Sequence, residues 1–531
     1  MKLIAKTSVA LLVCLMPLCA AGATPDLILT NGHIFTGDTA NPWVTAVSIE
    51  GEKVLAVGTD AALTATADKH TRIVDLHGRM AMPGINDAHD HVGGAPFGVE
   101  AHTQTLPPAN PSIDEVADAV HAAALTAASG EWIVCDVGRE LIVHPKDARV
   151  ALDRAAAGHP VMLESYVGHG IVLNTAGLGK LGIKDDVKDI DGGRYDRDAD
   201  GHLTGLLEEN TGNAIRQRLS SQAGVTPAEI AELRAYAQHR LEQGVTTVQV
   251  MASNQKLSDL EKAFVQANTP LRLRIMRFPF PEEDALNHEQ LGSGEQQLTP
   301  LIRVTGVKWV LDGTPHDGEL AFQTTDYPDR PGWRGRPNFS VDFIDSQLKI
   351  ALTGKDQLMM HIVGDAMTDE VLAEMQKLAP AERWRPLRVR FEHGDGFTTP
   401  ARMELARQYG IVIAQPRPGR PFHALTAAGI PLAYGSDGGM APFFMFGIMT
   451  QPGNPQSISR EQALSILTAG PAHAEFEEKT KGTLAPGMLA DLAVLSQDVM
   501  TATPDKLPST HSVMTIVGGK IAYTSPEFEA K

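Results

Sequence analysis

At 531 residues the chain is long enough to bury a large core, which excludes a disulfide-stapled mini-domain. Hydrophobic residues make up 43% and charged residues 21%, ordinary values for a folded soluble protein, so disorder and low-complexity architectures are excluded for most of the chain. With 46 Lys and Arg against 64 Asp and Glu, the formal charge of −18 lacks the basic footprint of a nucleic-acid binder.

Residues 1–23 read as an address. Lys2 and Lys6 supply a positive start, residues 9–20 are apolar apart from Pro17, and Ala21-Gly22-Ala23 offers a small-residue cleavage site. The run falls short of the roughly 20 residues a bilayer span needs. Leu18 precedes Cys19 where a lipoprotein signal carries a small residue. The expectation is a mature chain starting near Thr24, soluble, exported to a periplasm or the medium, with no stable membrane association; an uncleaved anchor is the alternative. Cys14 and Cys19 leave with the signal, and Cys135, in Trp132-Ile133-Val134-Cys135, then reads as a small buried residue without a disulfide partner.

The mature chain opens with strand-like runs. Residues 26–30 end at Asn31-Gly32, a hairpin turn signal, and runs at 33–36, 46–49, 54–58 and 72–76 follow, which predicts a small antiparallel β module over residues 24–84. Near Met82-Pro83-Gly84 the rhythm changes to apolar strands alternating with amphipathic helices. Ser112-Ile113-Asp114-Glu115 and Thr226-Pro227-Ala228-Glu229 read as capping boxes, and Gly244 as a left-handed helix end before the strand Val245-Thr246-Thr247-Val248-Gln249-Val250. Eight barrel strands are predicted near residues 85–91, 160–167, 246–252, 303–311, 357–363, 387–393, 411–415 and 431–436, favouring an α/β (β/α)8, TIM-like barrel over residues 85–478. Strands return over 479–531, with a Gly518-Gly519-Lys520 turn, so both chain ends are expected to build one small β-sandwich module beside the barrel.

The chemistry lies in the histidines. His89-Asp90-His91 ends the first barrel strand, and residues i and i+2 of a strand point the same way, so both imidazoles enter the barrel mouth and suit a zinc-like ion. His361 ends the fifth strand, His393 the sixth and Asp437 the eighth, all at the C-terminal ends where barrel enzymes keep their active sites. Lys308 sits in the apolar fourth strand, where a bare ammonium is costly. Two readings stand: a lysine of lowered pKa that carbon dioxide carbamylates into a metal-bridging carboxylate, or one that snorkels or pairs with Asp312.

Taken together, the segments resemble the amidohydrolase superfamily of metal-dependent hydrolases, and within it the amidohydrolase-3 branch of YtcJ-like and N-substituted-formamide-deformylase-like proteins. The matching stretches include Met82-Pro83-Gly84-Ile85-Asn86-Asp87-Ala88-His89-Asp90-His91, Val167-Gly168-His169, Thr204-Gly205-Leu206-Leu207-Glu208-Glu209, Lys308 with Asp312-Gly313, Glu392-His393, Gly435-Ser436-Asp437 and Gly482-Thr483-Leu484-Ala485-Pro486-Gly487. The resemblance implies that His89 and His91 bind one metal and His361 and His393 another, the two zinc ions being bridged by carboxylated Lys308. It implies further that Asp437 binds metal and acts as base. Superfamily members differ at the bridging position. His169 matches a substrate or oxyanion contact, and Glu209 a structural or near-site position.

Two further signals are weighed. Asp196-Arg197-Asp198-Ala199-Asp200-Gly201 mimics the start of a calcium loop, but Leu207 stands where a bidentate Glu is needed, so a hairpin turn is expected. The segment 315–340, with Phe322, Tyr327, Trp333 and Phe339, is read either as a lid or substrate wall, or as aromatics packing a loop onto the barrel. The implied activity is hydrolysis of a non-peptide carbon–nitrogen bond in a small amide, formamide or cyclic amide. A mononuclear deaminase and a non-catalytic exported binding protein are the alternatives. The partner expected is a small molecule, not nucleic acid, and a homo-oligomer is compatible with the sequence.

Overall fold

Eight parallel strands form the centre of the molecule: Ile85–Asp90, Val245–Met251, Arg272–Arg277, Ile302–Val310, Leu358–Ile362, Arg390–His393, Val412–Ala414 and Leu432–Ala433. Each pairs in parallel with the next in chain order. The ring closes where the Ala88 N–H donates to the Tyr434 carbonyl and the Asp437 N–H to the His89 carbonyl, both at 2.8 Å. The computed structural model describes residues 24–94, 96–105, 109–279, 293–315 and 318–529, so the expected signal segment lies outside the described residues.

The barrel departs from expectation in one strand. Residues 160–167 do not belong to it. Val161–Ser165 instead joins a six-stranded sheet, built from residues 99–209 and inserted after the first barrel strand. The third barrel strand is Arg272–Arg277, in which Arg272, Arg274 and Arg277 are all buried. Three arginines in six residues hide an interior strand from any reading based on apolar runs. Arg274 is buried because the barrel interior below the mouth is a polar lattice, while Arg272 pairs with Asp491 at 2.7 Å and Arg277 with Asp356 at 3.3 Å. The Gln249 carbonyl oxygen accepts from Arg390 at 2.6 Å and from Arg274 at 3.4 Å, and the Glu475 carboxylate takes Asn86 at 2.6 Å, Arg303 at 2.8 Å and Lys481 at 2.9 Å. Pairing of this kind is what makes buried charge tolerable.

Strands from the two chain ends meet in a second six-stranded sheet, ordered Lys520–Thr524, Ser512–Val517, Leu492–Leu495, Met80–Pro83, His33–Phe35 and Trp43–Val44. A four-stranded sheet from residues 27–75 shares an apolar cluster with it, including Leu29, Val47, Leu492 and Ile516. Asn31-Gly32 does not make the expected hairpin: Leu27–Thr30 pairs in one sheet and His33–Phe35 in the other. Asn31 turns the chain between them at φ 53°, and a Cβ on Gly32 would stand 2.7 Å from Ile34. The pairing is also mixed, since Leu27–Thr30 runs parallel to Arg72–Asp75. Gly84 alone separates Met80–Pro83 from the first barrel strand; a Cβ there would lie 2.2 Å from the Thr246 hydroxyl.

At both expected capping boxes Thr226 and Ser112 accept from the N–H three residues on, at 3.1 Å, and the Glu229 and Glu115 carboxylates face back to the Thr226 and Ser112 backbone while also accepting from Gln255 and Thr105. The Asp196–Gly201 stretch is a turn between Gly193–Arg197 and Leu203–Glu209, with Asp198 Oδ1 accepting from the Asp200 and His202 N–H groups. Cys135 is buried as a free thiol. Among the described residues no helix is long and apolar enough to cross a membrane.

Candidate metal centre

All six residues singled out as ligands converge at the C-terminal mouth of the barrel. His89 and His91 extend from the first strand with their Nε2 atoms 3.3 Å apart. Asp437 Oδ1 lies 3.4 Å from His89 Nε2 and 3.7 Å from His91 Nε2. Lys308 Nζ, on the fourth strand, is 3.1 Å from His89 Nε2. His361 and His393 meet at 2.9 Å through Nδ1 and Nε2, and the His393 ring centroid is 5.4 Å from that of His89. Donor atoms of His89, His393 and Asp437 all lie within 4.8 Å of one another.

Hydrogen bonding fixes what these rings offer. The Glu392 carboxylate accepts from His89 Nδ1 at 2.5 Å, so the ring proton sits there and Nε2 presents a lone pair. The Ser253 hydroxyl donates to Asn254, leaving its oxygen to accept from His91 Nδ1 at 2.7 Å, which frees the His91 Nε2 lone pair. The Gln415 side-chain carbonyl does the same for His393 Nδ1. Burial lowers the pKa of His91 and His361 well below the imidazole value and that of His393 to about 3, so these rings are neutral at physiological pH. Lone pairs of His89, His91 and His393 thus face one another beside a carboxylate, and His361 Nε2 is buried without a hydrogen-bond partner. Lone pairs at such spacing repel unless a cation lies between them, so the donor set fits a divalent ion of the zinc type.

Lys308 is 2% exposed, and burial lowers its ammonium pKa to about 8 against the raising influence of Glu392 and Asp437. It does not pair with Asp312. That carboxylate accepts three backbone N–H groups, from Phe322 at 3.0 Å, Val363 at 3.0 Å and Gly364 at 2.7 Å, and so pins the loop after the fourth strand to the end of the fifth. Burial raises the pKa of Asp437, but the surrounding imidazoles of His89, His393 and His91 outweigh it and hold the carboxyl well below the usual carboxylate range.

His169 arrives from the inserted sheet. Its Nδ1 meets the Glu209 carboxylate at 2.9 and 3.0 Å, and its ring centroid is 4.7 Å from that of His361. Gly313 makes room for the pair: a Cβ there would stand 2.7 Å from Glu209 Oε1. Glu209, His393, Gln415 and Asp437 have φ of 55°, 70°, 54° and 48°. Four non-glycine residues in left-handed backbone around one mouth show strain concentrated where the ligands must be aimed.

In the segment after the fourth strand Phe339 stacks on Phe343 at 4.2 Å and meets Trp309 edge-on, so aromatics do pack it onto the barrel, while Trp333 donates from its indole to the Glu319 carbonyl and lines a cavity that also includes His169. Residues 316 and 317 lie outside the described residues.

Sequence reasoning assigned no role to the residues behind the ligands. Glu392 is gripped by Arg390 at 2.8 and 3.0 Å. Asp87 Oδ1 accepts from the His89 and Ser436 N–H groups, and its other oxygen pairs with Arg240, so Arg240 ties the strand of His89 to the turn of Asp437. The available signal was a charge inside an otherwise apolar strand, as in Arg390-Phe391-Glu392.

A parallel barrel with neutral imidazoles, a lysine and a carboxylate at its C-terminal mouth defines a metal-dependent barrel enzyme. Residues 72–523 match the model of the amidohydrolase family, and the chain belongs to that family and is a hydrolase of its kind. Among its relatives, Protein LONG AFTER FAR-RED 3 of Arabidopsis thaliana is 26% identical, covering 95% of this chain and 92% of its own length. N-substituted formamide deformylase of Arthrobacter pascens is 22% identical over 94% of this chain and 98% of its own. The crystal structure of an uncharacterized metal-dependent hydrolase from Pyrococcus horikoshii OT3 shares the fold, with a TM-score of 0.66 at 19% identity, covering 90% of this chain and 99% of that one.

Proposed function

We propose that the protein hydrolyses a non-peptide carbon–nitrogen bond in a small amide, formamide or cyclic amide. The observation that carries this reading is the convergence of the His89 and His91 Nε2 lone pairs, 3.3 Å apart, on Asp437 and Lys308. His89, His91, His361, His393 and Asp437 would hold two zinc-type ions, with a carboxylated Lys308 between them. A divalent ion bound there supplies Lewis acidity, acidifying a water molecule and polarising the substrate carbonyl. Asp437, ionised and a third exposed at the mouth, takes a proton from the attacking water and later delivers it to the leaving nitrogen. His169, oriented by Glu209, contacts the substrate carbonyl. Glu392 keeps the His89 proton on Nδ1. A carboxylated Lys308 adds the negative charge that four neutral imidazoles lack and removes a buried ammonium.

The reading extends to the rest of the chain. The two terminal sheets constitute a β-sandwich module, the segment 318–340 is a substrate wall, and cleavage after Ala23 releases a soluble exported protein. A mononuclear deaminase is the second reading, favoured by the compactness of the His89, His393 and Asp437 set, which alone would hold one ion. Metal analysis of the purified protein, with a zinc-loaded screen of formamides, N-acyl amino acids, lactams and esters, tests both. Two ions and amide turnover are expected. One ion with amine-releasing activity on a heterocycle would establish the deaminase, and no metal with no turnover would refute both.

A further inference from the structure

Three of the four imidazole ligands are steadied by a side chain outside the ligand set: Glu392 at His89, Ser253 at His91 and Gln415 at His393. His361 is held differently. Its Nδ1 meets another ligand, His393 Nε2, at 2.9 Å, and its buried Nε2 has no hydrogen-bond partner. The ring packs beside His169, centroid to centroid at 4.7 Å. Its aim therefore depends on the backbone that carries it.

That backbone converges on Asp312. Where the fourth and fifth strands end, the Leu311 N–H donates to the His361 carbonyl at 3.1 Å. Two residues past His361, the Val363 N–H goes to a side chain, Asp312 Oδ1, at 3.0 Å, while the Leu311 carbonyl accepts from the Asn338 N–H at 2.8 Å. Asp312 Oδ2 accepts from Gly364 at 2.7 Å and from Phe322 at 3.0 Å. Phe322 is docked a second time through its carbonyl, which accepts from the Ala366 and Met367 N–H groups at 3.0 and 3.3 Å. These belong to the first turn of the helix Asp365–Leu378, whose N-cap is Gly364 and has no side chain to satisfy them. A Cβ on Gly364 would stand 2.0 Å from the Phe322 oxygen. The Asp365 carboxylate takes the Thr324 N–H and hydroxyl, both at 2.7 Å. One buried carboxylate thus joins the strand end that carries His361 to the segment that follows strand four.

We propose that Asp312 is the positioning residue for His361: through the Val363 and Gly364 peptides it sets where that imidazole stands against the other ligands, and it fixes the segment 318–340 to the same point. The inference rests on the reading of His361 as a metal ligand. The two oxygens divide the work. Oδ1 holds the peptide nearest His361, and Oδ2 holds the segment. An asparagine keeps one carbonyl oxygen and satisfies most donors by presenting it to Gly364 and Phe322, which turns its NH2 group against the Val363 N–H. Asparagine therefore breaks the bond nearest His361 and spares the segment, whereas alanine breaks all three. A misplacement of about 1 Å in a reacting group costs on the order of a hundredfold in rate, so a clamp of this kind matters to the site.

The test uses the full chain, first metal-free. In Asp312→Asn the ring nitrogen signals of His361, assigned by their loss in His361→Gln, are expected to move while those of His89 and His91 stay. Amide hydrogen exchange over 318–340 should remain within about threefold of wild type in that variant. Asp312→Ala should move the same ring signals and speed that exchange about tenfold or more, the consequence of leaving buried donors unpaired. Thr324→Ala, which loosens the segment only at Asp365, should speed exchange around Thr324 and leave the His361 signals in place. Zinc titration of Asp312→Asn should show the ion at His361 and His393 weakened about 10–100-fold, the range for losing a group that orients a ligand. Unmoved His361 signals in Asp312→Asn, or an equal movement in Thr324→Ala, would overturn the proposal; should the alanine chain not fold, these two variants decide it. Zinc that leaves the wild-type His361 signals unshifted would refute the ligand reading, whereas the metal-free ring signals still decide what Asp312 positions.

Discussion

Replacing Glu392 by Gln probes how the barrel interior aims its ligands. The Glu392 carboxylate is wholly buried, 2.5 Å from His89 Nδ1, and gripped by both Nε and Nη2 of Arg390. Arg390 in turn reaches the Gln249 side chain at 2.6 Å and the Ala88 carbonyl at 2.7 Å, so its position is set independently of the substitution. Glu392→Gln conserves volume but removes the negative charge, leaving the buried guanidinium partly uncompensated. Breaking a buried ion pair from one side costs about 3–5 kcal/mol of folding stability. The amide also weakens the preference for a proton on His89 Nδ1. A ring that turns its proton to Nε2 cannot donate a lone pair into the site, and loss of such a partner lowers metal affinity roughly 10–100-fold. Chelator competition should show that loss, urea unfolding of the metal-free protein should show the stability change, and nitrogen chemical shifts should show the His89 tautomer moving. Unchanged metal affinity in the Glu392→Gln protein, with a stability loss under about 1 kcal/mol, would refute the claim that this pair aims the ligand.

Asp437→Asn should lower kcat about a hundredfold or more on the best amide substrate while circular dichroism stays native; near-normal kcat would show that Asp437 is not the base. Lys308→Ala should reduce bound metal, read by mass spectrometry, to one ion per chain or fewer, with short carboxylic acids restoring part of the activity; two ions and full rate would leave Glu209 as the first alternative bridge. Cys135 should resist alkylation at pH 8 in the folded protein, because burial, with the nearby Asp136 and Glu100 charges, pushes its thiol pKa up to about 12 and keeps it neutral there, and rapid labelling before unfolding would contradict that. Protein recovered from an exporting host should begin near Thr24 by N-terminal sequencing, whereas an intact Met1 in the membrane fraction would argue for an anchor.

What could be read without coordinates follows from how each residue announces itself. His89, His91, His361, His393 and Asp437 stand at the ends of apolar strands, where a polar side chain has few roles besides chemistry. Lys308 was legible for the opposite reason, as a charge in the middle of such a strand. Arg272–Arg277 was missed because its buried arginines look like a solvated face, and only the partners contributed by Asp491, Gln249 and Asp356, distant in sequence, make their burial tolerable. Val161–Ser165 misled in the other direction. It is as apolar as a barrel strand, and nothing local distinguishes a strand of the inserted sheet from one of the barrel. Asn31-Gly32 likewise carries a turn signal that is real, while the choice between pairing back and crossing to another sheet rests on strands farther along the chain, Ala46–Glu50 and Arg72–Asp75 for one sheet and Trp43–Val44 and Met80–Pro83 for the other. Glu392 and Arg240 needed geometry, since their function lies in which distant atom they reach.

The sheet that unites both chain ends sets an order of assembly. Met80–Pro83 pairs with Leu492–Leu495, more than four hundred residues downstream, and a single glycine connects it to the strand bearing His89 and His91. During synthesis the early strands emerge with an open edge and wait until Leu492–Leu495 has been made before that edge is covered. Closing so large a loop is inexpensive at equilibrium, about 0.6 kcal/mol per doubling of its length, but pairings this remote slow folding. A nascent or C-terminally truncated chain lacking roughly the last forty residues would therefore carry a ligand-bearing strand anchored to an unfinished sheet. Anchoring of the strand that carries His89 is thereby coupled to arrival of Leu492–Leu495, and the sticky edge is exposed longest in the chains that never reach it.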